Sequence, residues 1–137
     1  MAEGDDYKVL NVSKDSYKDY QNIINLQAFK KIGGINNKHL FILTMALGFK
    51  NNQYFPLKSG EKHSGGYCRV ESLSEEDKLL IKAIAVYKAK EQNVNILIDP
   101  KQMYQIAEGY ANGGISFLKE LATQPGNFFI NLMSVCQ

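Results

Sequence analysis

A handful of side chains in this 137-residue chain could do chemistry by type, and their spacing decides which chemistry. A structural zinc site asks for several Cys, His or carboxylate ligands, usually in closely spaced pairs. The chain offers His39, His63, Cys68 and Cys136 with no C-x-x-C and no H-x-x-x-H, so no metal is expected. Cys68 could serve as a nucleophile activated by His63 or His39, since a base need only be near in space. The simpler reading is a small buried apolar residue beside Tyr67, and both cysteines are expected as free thiols. Metal-dependent nucleases pair an upstream aspartate with a later E-x-K, which Glu76-Asp77-Lys78 spells. No aspartate lies between Tyr20 and Glu76, however, and the same three residues read as a helix start. Phosphate-cradling loops need glycine followed directly by a helix, and the stretch from Lys58 to Gly66 has the glycines without the helix.

What remains is charge interleaved with aromatic rings. Residues 30–69 hold Lys30, Lys31, Lys38, Lys50, Lys58, Lys62 and Arg69 against Glu61 alone, a net +6, while the stretches before and after carry −2 each. Lysine and arginine neutralise backbone phosphates and aromatic rings stack on exposed bases. Lys50, Tyr54, Lys58, Lys62, His63, Tyr67 and Arg69 are therefore the candidate contacts for nucleic acid, or for an acidic protein surface. The competing reading is that the aromatics anchor a loop to the core, and the pI near 8.4 lies below the usual footprint of a dedicated nucleic-acid binder. A second candidate contact is the apolar end from Phe128 to Val135, with Phe128, Phe129 and Leu132, which must bury against the core or another chain.

The elements that would position these residues can be read from periodicity. The first dozen residues are either a loose end or one short strand through Tyr7, Val9 and Leu10. From Ser13, the residues Tyr17, Tyr20, Ile24 and Ala28 keep helical steps, predicting a helix to about Ile32 that Gly33-Gly34 ends. Asn36 or Asn37 caps a second, buried helix from His39 to Leu47, with Gly48 as its left-handed C-terminal residue. From Phe49 to Leu73 a long connection is expected, either a functional loop or a small hairpin with strands at Tyr54-Phe55 and Tyr67 to Val70. Ser74 with Glu75, Glu76 and Asp77 opens a third helix whose buried face is Leu80, Ala83, Ile84 and Tyr87. Asn93 to Ile98 reads as a strand or an extended link. Asp99-Pro100 starts a last long helix in which Met103, Ile106, Ala107, Tyr110, Ala111, Leu118 and Leu121 share a face. Gly113-Gly114 marks a close helix crossing or a break, and Gln124 to Asn127 is a turn.

Three stretches resemble one family. They are Ala46-Leu47-Gly48-Phe49-Lys50-Asn51 with Pro56-Leu57, then Glu75-Glu76-Asp77-Lys78 through Ile84-Ala85, and Ile106-Ala107-Glu108-Gly109-Tyr110-Ala111-Asn112-Gly113-Gly114-Ile115. In this order, across roughly residues 28–122, they look like the DNA phosphorothioation-associated, or dnd system-associated, protein four family. The resemblance implies a small accessory component of a bacterial DNA sulphur-modification and phage-defence system, and it brings no catalytic residues with it. The chain departs from the pattern at the Lys58 to Gly66 loop and after Pro125.

The expectation is a mostly α fold of four to five helices, with one small β-hairpin as an option, in a single compact domain. Residues 1–12 would form a loose segment, and 13–137 a helical domain with a basic loop at about 49–73. A non-enzymatic accessory protein contacting DNA or a DNA-acting partner is the leading function; an interaction subunit using the apolar tail, or a nuclease, are the alternatives. No cofactor is expected. DNA, a protein of the same system and a second copy of the chain are the partners to consider. The acidic start and the lack of a long apolar run predict a cytoplasmic protein with no membrane contact.

Overall fold

The second helix is held at its start by Asn36, one of the two caps that the sequence offers, through an exchange of hydrogen bonds with His39. Asn36 accepts from the His39 backbone N–H at 3.4 Å, while His39 Nδ1 accepts from the Asn36 N–H at 3.1 Å. The computed structural model describes residues 7–26, 29–30, 33–91, 99–123 and 132–134, and among these one small sheet and four α-helices are bounded. They are α1 (Tyr17–Ile24), α2 (Asn37–Lys50), α3 (Glu75–Glu91) and α4 (Pro100–Thr123). Strands β1 (Val9–Leu10) and β2 (Cys68–Arg69) pair antiparallel, Val9 opposite Arg69 and Leu10 opposite Cys68.

The mostly helical fold with one two-stranded antiparallel sheet agrees with the sequence reading, but the strands' partners differ from the expected hairpin. Tyr54-Phe55 forms no strand; β2 pairs instead with the N-terminal segment, far away in sequence. Hydrogen bonds continue this pairing on either side: Val70 N to Lys8 O, Tyr67 N to Leu10 O, His63 N to Val12 O and Lys14 N to Glu61 O, all 2.8 or 2.9 Å. Of the two readings offered for the N-terminal segment, the strand is therefore present at Val9–Leu10, without Tyr7, and Leu10 and Val12 are core residues.

Helix α1 stops at Ile24, short of the expected Ile32. Asn25 leaves the helical path, and its side-chain amide donates to the Gln21 carbonyl at 2.8 Å, satisfying a group that the next turn would have used. Gly33 and Gly34 do adopt the left-handed conformation, with φ of +74° and +70°. Gly48 does not: α2 runs through it to Lys50, and the left-handed residue after the helix is Asn52, with φ of 54°. Helix α3 begins as predicted, with Ser74 and Asp77 exchanging hydrogen bonds of 3.0 and 3.1 Å. Its buried face is Ile81, Ile84, Ala85 and Ala89, so Leu80, Ala83 and Tyr87 were assigned to the wrong side. Asp99 caps α4 by accepting from the Lys101 and Gln102 N–H groups. The stretches expected at Asn93 to Ile98 and Gln124 to Asn127 lie outside the described residues.

The core forms where α2 lies against α4. Gly113-Gly114 does not break α4. A Cβ on Gly114 would strike the Thr44 carbonyl, and one on Gly48 the Tyr110 carbonyl, so the two helices touch backbone to backbone. Next to this crossing, Tyr20 of α1 reaches Thr44 Oγ1 at 3.0 Å. Thr44 Oγ1 also lies 2.9 Å from the Phe41 carbonyl and the Tyr20 hydroxyl 3.4 Å from the Ala111 carbonyl, so both hydroxyls have backbone acceptors.

Candidate functional site

The tripeptide Gln53-Tyr54-Phe55 leads the basic loop out of α2 by lying along the glycine-rich face of α4. Gly113 leaves room for the Gln53 backbone and Gly109 for the Tyr54 ring. Phe55 N donates to the Gly109 carbonyl at 3.0 Å, and Asn112 Nδ2 donates to the Phe55 carbonyl at 2.9 Å. The Tyr54 ring rests 4.8 Å from that of Tyr110, and Lys88 Nζ stands 4.4 Å over it. Tyr54 is thus an anchor with one face already occupied by a cation.

Tyr67 and His63 are engaged in the same way at the loop's other end. The His63 ring stacks on Tyr17 with centroids 3.5 Å apart, and Tyr67 packs against Tyr20 at 4.7 Å and edge-on to Tyr17. Burial raises the Tyr67 phenol well above its ordinary range, with Tyr20, Cys68 and Tyr17 adding to the effect. Tyr54, His63 and Tyr67 therefore hold the loop, while Lys58, Arg69 and the Phe55 ring are exposed. Lys58 is exposed, and its N–H donates to the Glu61 carboxylate. Lys62 is half-buried and bridges to Ser13. Arg69 forms a solvent-exposed ion pair with Glu71 at 2.9 Å. Arg69 lines a cavity of about 320 Å³ with Tyr7 and Lys8, whereas Lys50 lines another of about 360 Å³ with Tyr87 and Tyr110; the two share no lining residue.

Of the tail residues, Phe128 and Phe129 lie outside the described residues, and Leu132 is half-buried against the core. Cys68 is a free, buried thiol whose pKa burial pushes up to about 12, opposite to what a nucleophile needs. Among the described residues no group of three His, Cys, Asp or Glu side chains could hold a metal, and no helix is long and apolar enough to cross a membrane.

Periodicity did not single out Glu108, which sits on the buried face of α4 and is 2% exposed. Its carboxylate accepts from Asn11 N at 2.6 Å and Asn11 Nδ2 at 2.9 Å, pinning the N-terminal segment to the helix. Burial raises its pKa despite the stabilising effects of Tyr7, Asn11 and nearby Lys62. A charged residue inside an otherwise apolar helical stripe was the signal that could have found it.

Two of the three stretches that carry the family resemblance therefore meet in space. Gly48 of the first faces Tyr110 of the third, and the third also carries the residues that seat the loop. Comparison with curated proteins and with solved structures gives no match. A family model, described as DNA sulphur modification system-associated protein 4, matches residues 16–135, including both the Lys58 to Gly66 loop and the apolar end. The chain belongs to the family of DNA sulphur modification system-associated protein 4.

Proposed function

We propose that the protein is a non-enzymatic accessory component of its DNA sulphur modification system that contacts DNA through the basic segment at residues 30–69. The observation that carries this reading is the separation of roles within the segment. Its tyrosines turn inward to hold the loop, and Lys58 and Arg69 remain exposed at the surface with Lys62 between them. Cations presented on a fixed loop suit a phosphate backbone, and with Tyr54, His63 and Tyr67 engaged elsewhere the contact is mainly through charge. The buried thiol argues against Cys68 chemistry. The E-x-K stretch is used as a cap, with Asp77 bound to Ser74.

The test is an electrophoretic shift of duplex DNA at low salt with Lys58, Lys62 and Arg69 all changed to Glu. Lys58 and Arg69 are exposed and the Arg69–Glu71 pair is solvent-exposed, whereas Lys62 is half-buried near Glu108; circular dichroism checks the fold of the variant, which loses DNA binding, as does Lys58→Glu with Arg69→Glu alone. A variant that binds DNA as well as the parent sinks this reading. A parent that ignores DNA but captures an acidic protein of the same system transfers the surface to a protein partner.

A further inference from the structure

Helix α3 is apolar on two opposite faces. Ile81, Ile84, Ala85 and Ala89 enter the core, yet Leu79 is 67% exposed, Leu80 39%, Val86 37% and Tyr87 54%, with Ala83 exposed between them. Four large apolar side chains grouped on one face of a single helix differ from the scattered surface residues that need no explanation. Their order is also specific. Glu76, Leu79, Ala83, Val86 and Lys90 follow each other at steps of three, four, three and four residues, the seam spacing of a helix pair, with Leu80 and Tyr87 flanking it.

The spacing of the apolar residues is symmetric about Ala83, with opposite charges at the two ends. Leu79 and Leu80 stand before it at the distances at which Tyr87 and Val86 stand after it, and Glu76 at one end mirrors Lys90 at the other. We propose that this face is covered by a second copy of the same chain, the two α3 helices running antiparallel with the two-fold axis at Ala83. Leu79 and Leu80 of one copy then meet Val86 and Tyr87 of the other, and the small Ala83 side chains let the helices approach. Glu76 of each copy faces Lys90 of the other, so two unlike pairs close the ends. In a parallel pair, Glu76 would face Glu76 and Lys90 would face Lys90. Glu76 and Lys90 therefore favour the antiparallel over the parallel direction. An isologous contact of this kind is closed and stops at the dimer. This assignment is independent of the DNA reading and uses a surface different from the apolar tail.

A single helix pair is small beside the roughly 1,200–2,000 Å² of a standard interface, so the dimer is weak and concentration-dependent, and is sought from about 1 μM to 1 mM. Sedimentation or light scattering of the full chain across that range reads a mass rising from 15.4 kDa toward twice that value. Glu76→Lys alone, or Lys90→Glu alone, juxtaposes like charges at both ends and weakens dimerisation by roughly tenfold at low salt. An equimolar mixture of these two variants restores it, because each copy then faces an opposite charge. All these changes are at exposed sites, so loss of fold does not confuse the result. A monomer at every concentration overturns the proposal, as does a dimer that Leu79→Glu leaves unchanged or a mixture that fails to recover.

Discussion

Glu108 shows how one side chain can tie distant parts of a small protein together and cost something in doing so. Its carboxylate satisfies two Asn11 donors that would otherwise be stranded beside α4, but it sits where water is excluded. Burial wins, and its pKa lies above the ordinary value of 4.5. The folded protein therefore keeps a proton that the unfolded chain has already released above that pH. Fewer protons bound in the unfolded state mean that stability falls as pH rises from the ordinary value toward the raised one. Glu108→Gln keeps an acceptor for Asn11 and removes the titration. Urea midpoints measured between about pH 5 and 7 should fall with pH in the parent and less in the variant. An identical slope in both would place its origin in another group.

At the scale of elements, the crossing of α2 and α4 is the feature on which the fold turns. Adding one methyl at Gly114 forces it into the Thr44 carbonyl, which belongs to a helix backbone and has nowhere to go. Gly114→Ala is expected to cost about 3 kcal/mol and lower the melting temperature by roughly 10 °C, while Gly60→Ala, which meets only open space, changes little. Calorimetry on the two variants checks the contrast. The double glycine was legible in the sequence as a crossing or a break, and the helix starts at Asn36, Ser74 and Asp99 were legible from their caps, since both signals are local. The face of α3 was not. Two stripes, Leu80-Ala83-Ile84-Tyr87 and Ile81-Ile84-Ala85-Ala89, both keep helical spacing, and only the position of α4 decides between them. The partner of β2 was hidden for a similar reason, because pairing across the length between Leu10 and Cys68 depends on tertiary contacts that no local pattern records. Where each ring of the basic loop points was equally unreadable, since Tyr54 and Tyr67 are aromatic anchors only by virtue of Gly109 and Tyr20.

For the molecule as a whole, charge is concentrated and not abundant. A net charge of +2 gives little long-range attraction for DNA, and the −2 stretches on either side of the basic segment reduce it further. On the proposed reading, DNA binding comes from close contacts, and its salt dependence counts them. Each phosphate neutralised by a lysine or arginine contributes about −0.9 to the slope of log K against log salt. Contacts from Lys58, Lys62 and Arg69 give a slope of about −2.7, or roughly a 40-fold loss of affinity between about 50 and 200 mM salt. Fluorescence anisotropy with a duplex of arbitrary sequence measures that slope, and the triple charge reversal removes it. Replacing a backbone oxygen by sulphur leaves the phosphate charge in place, so a contact made through charge alone binds modified and unmodified duplexes within about twofold. A strong preference for the sulphur-bearing strand would instead require apolar side chains that touch the sulphur itself, such as the exposed Phe55.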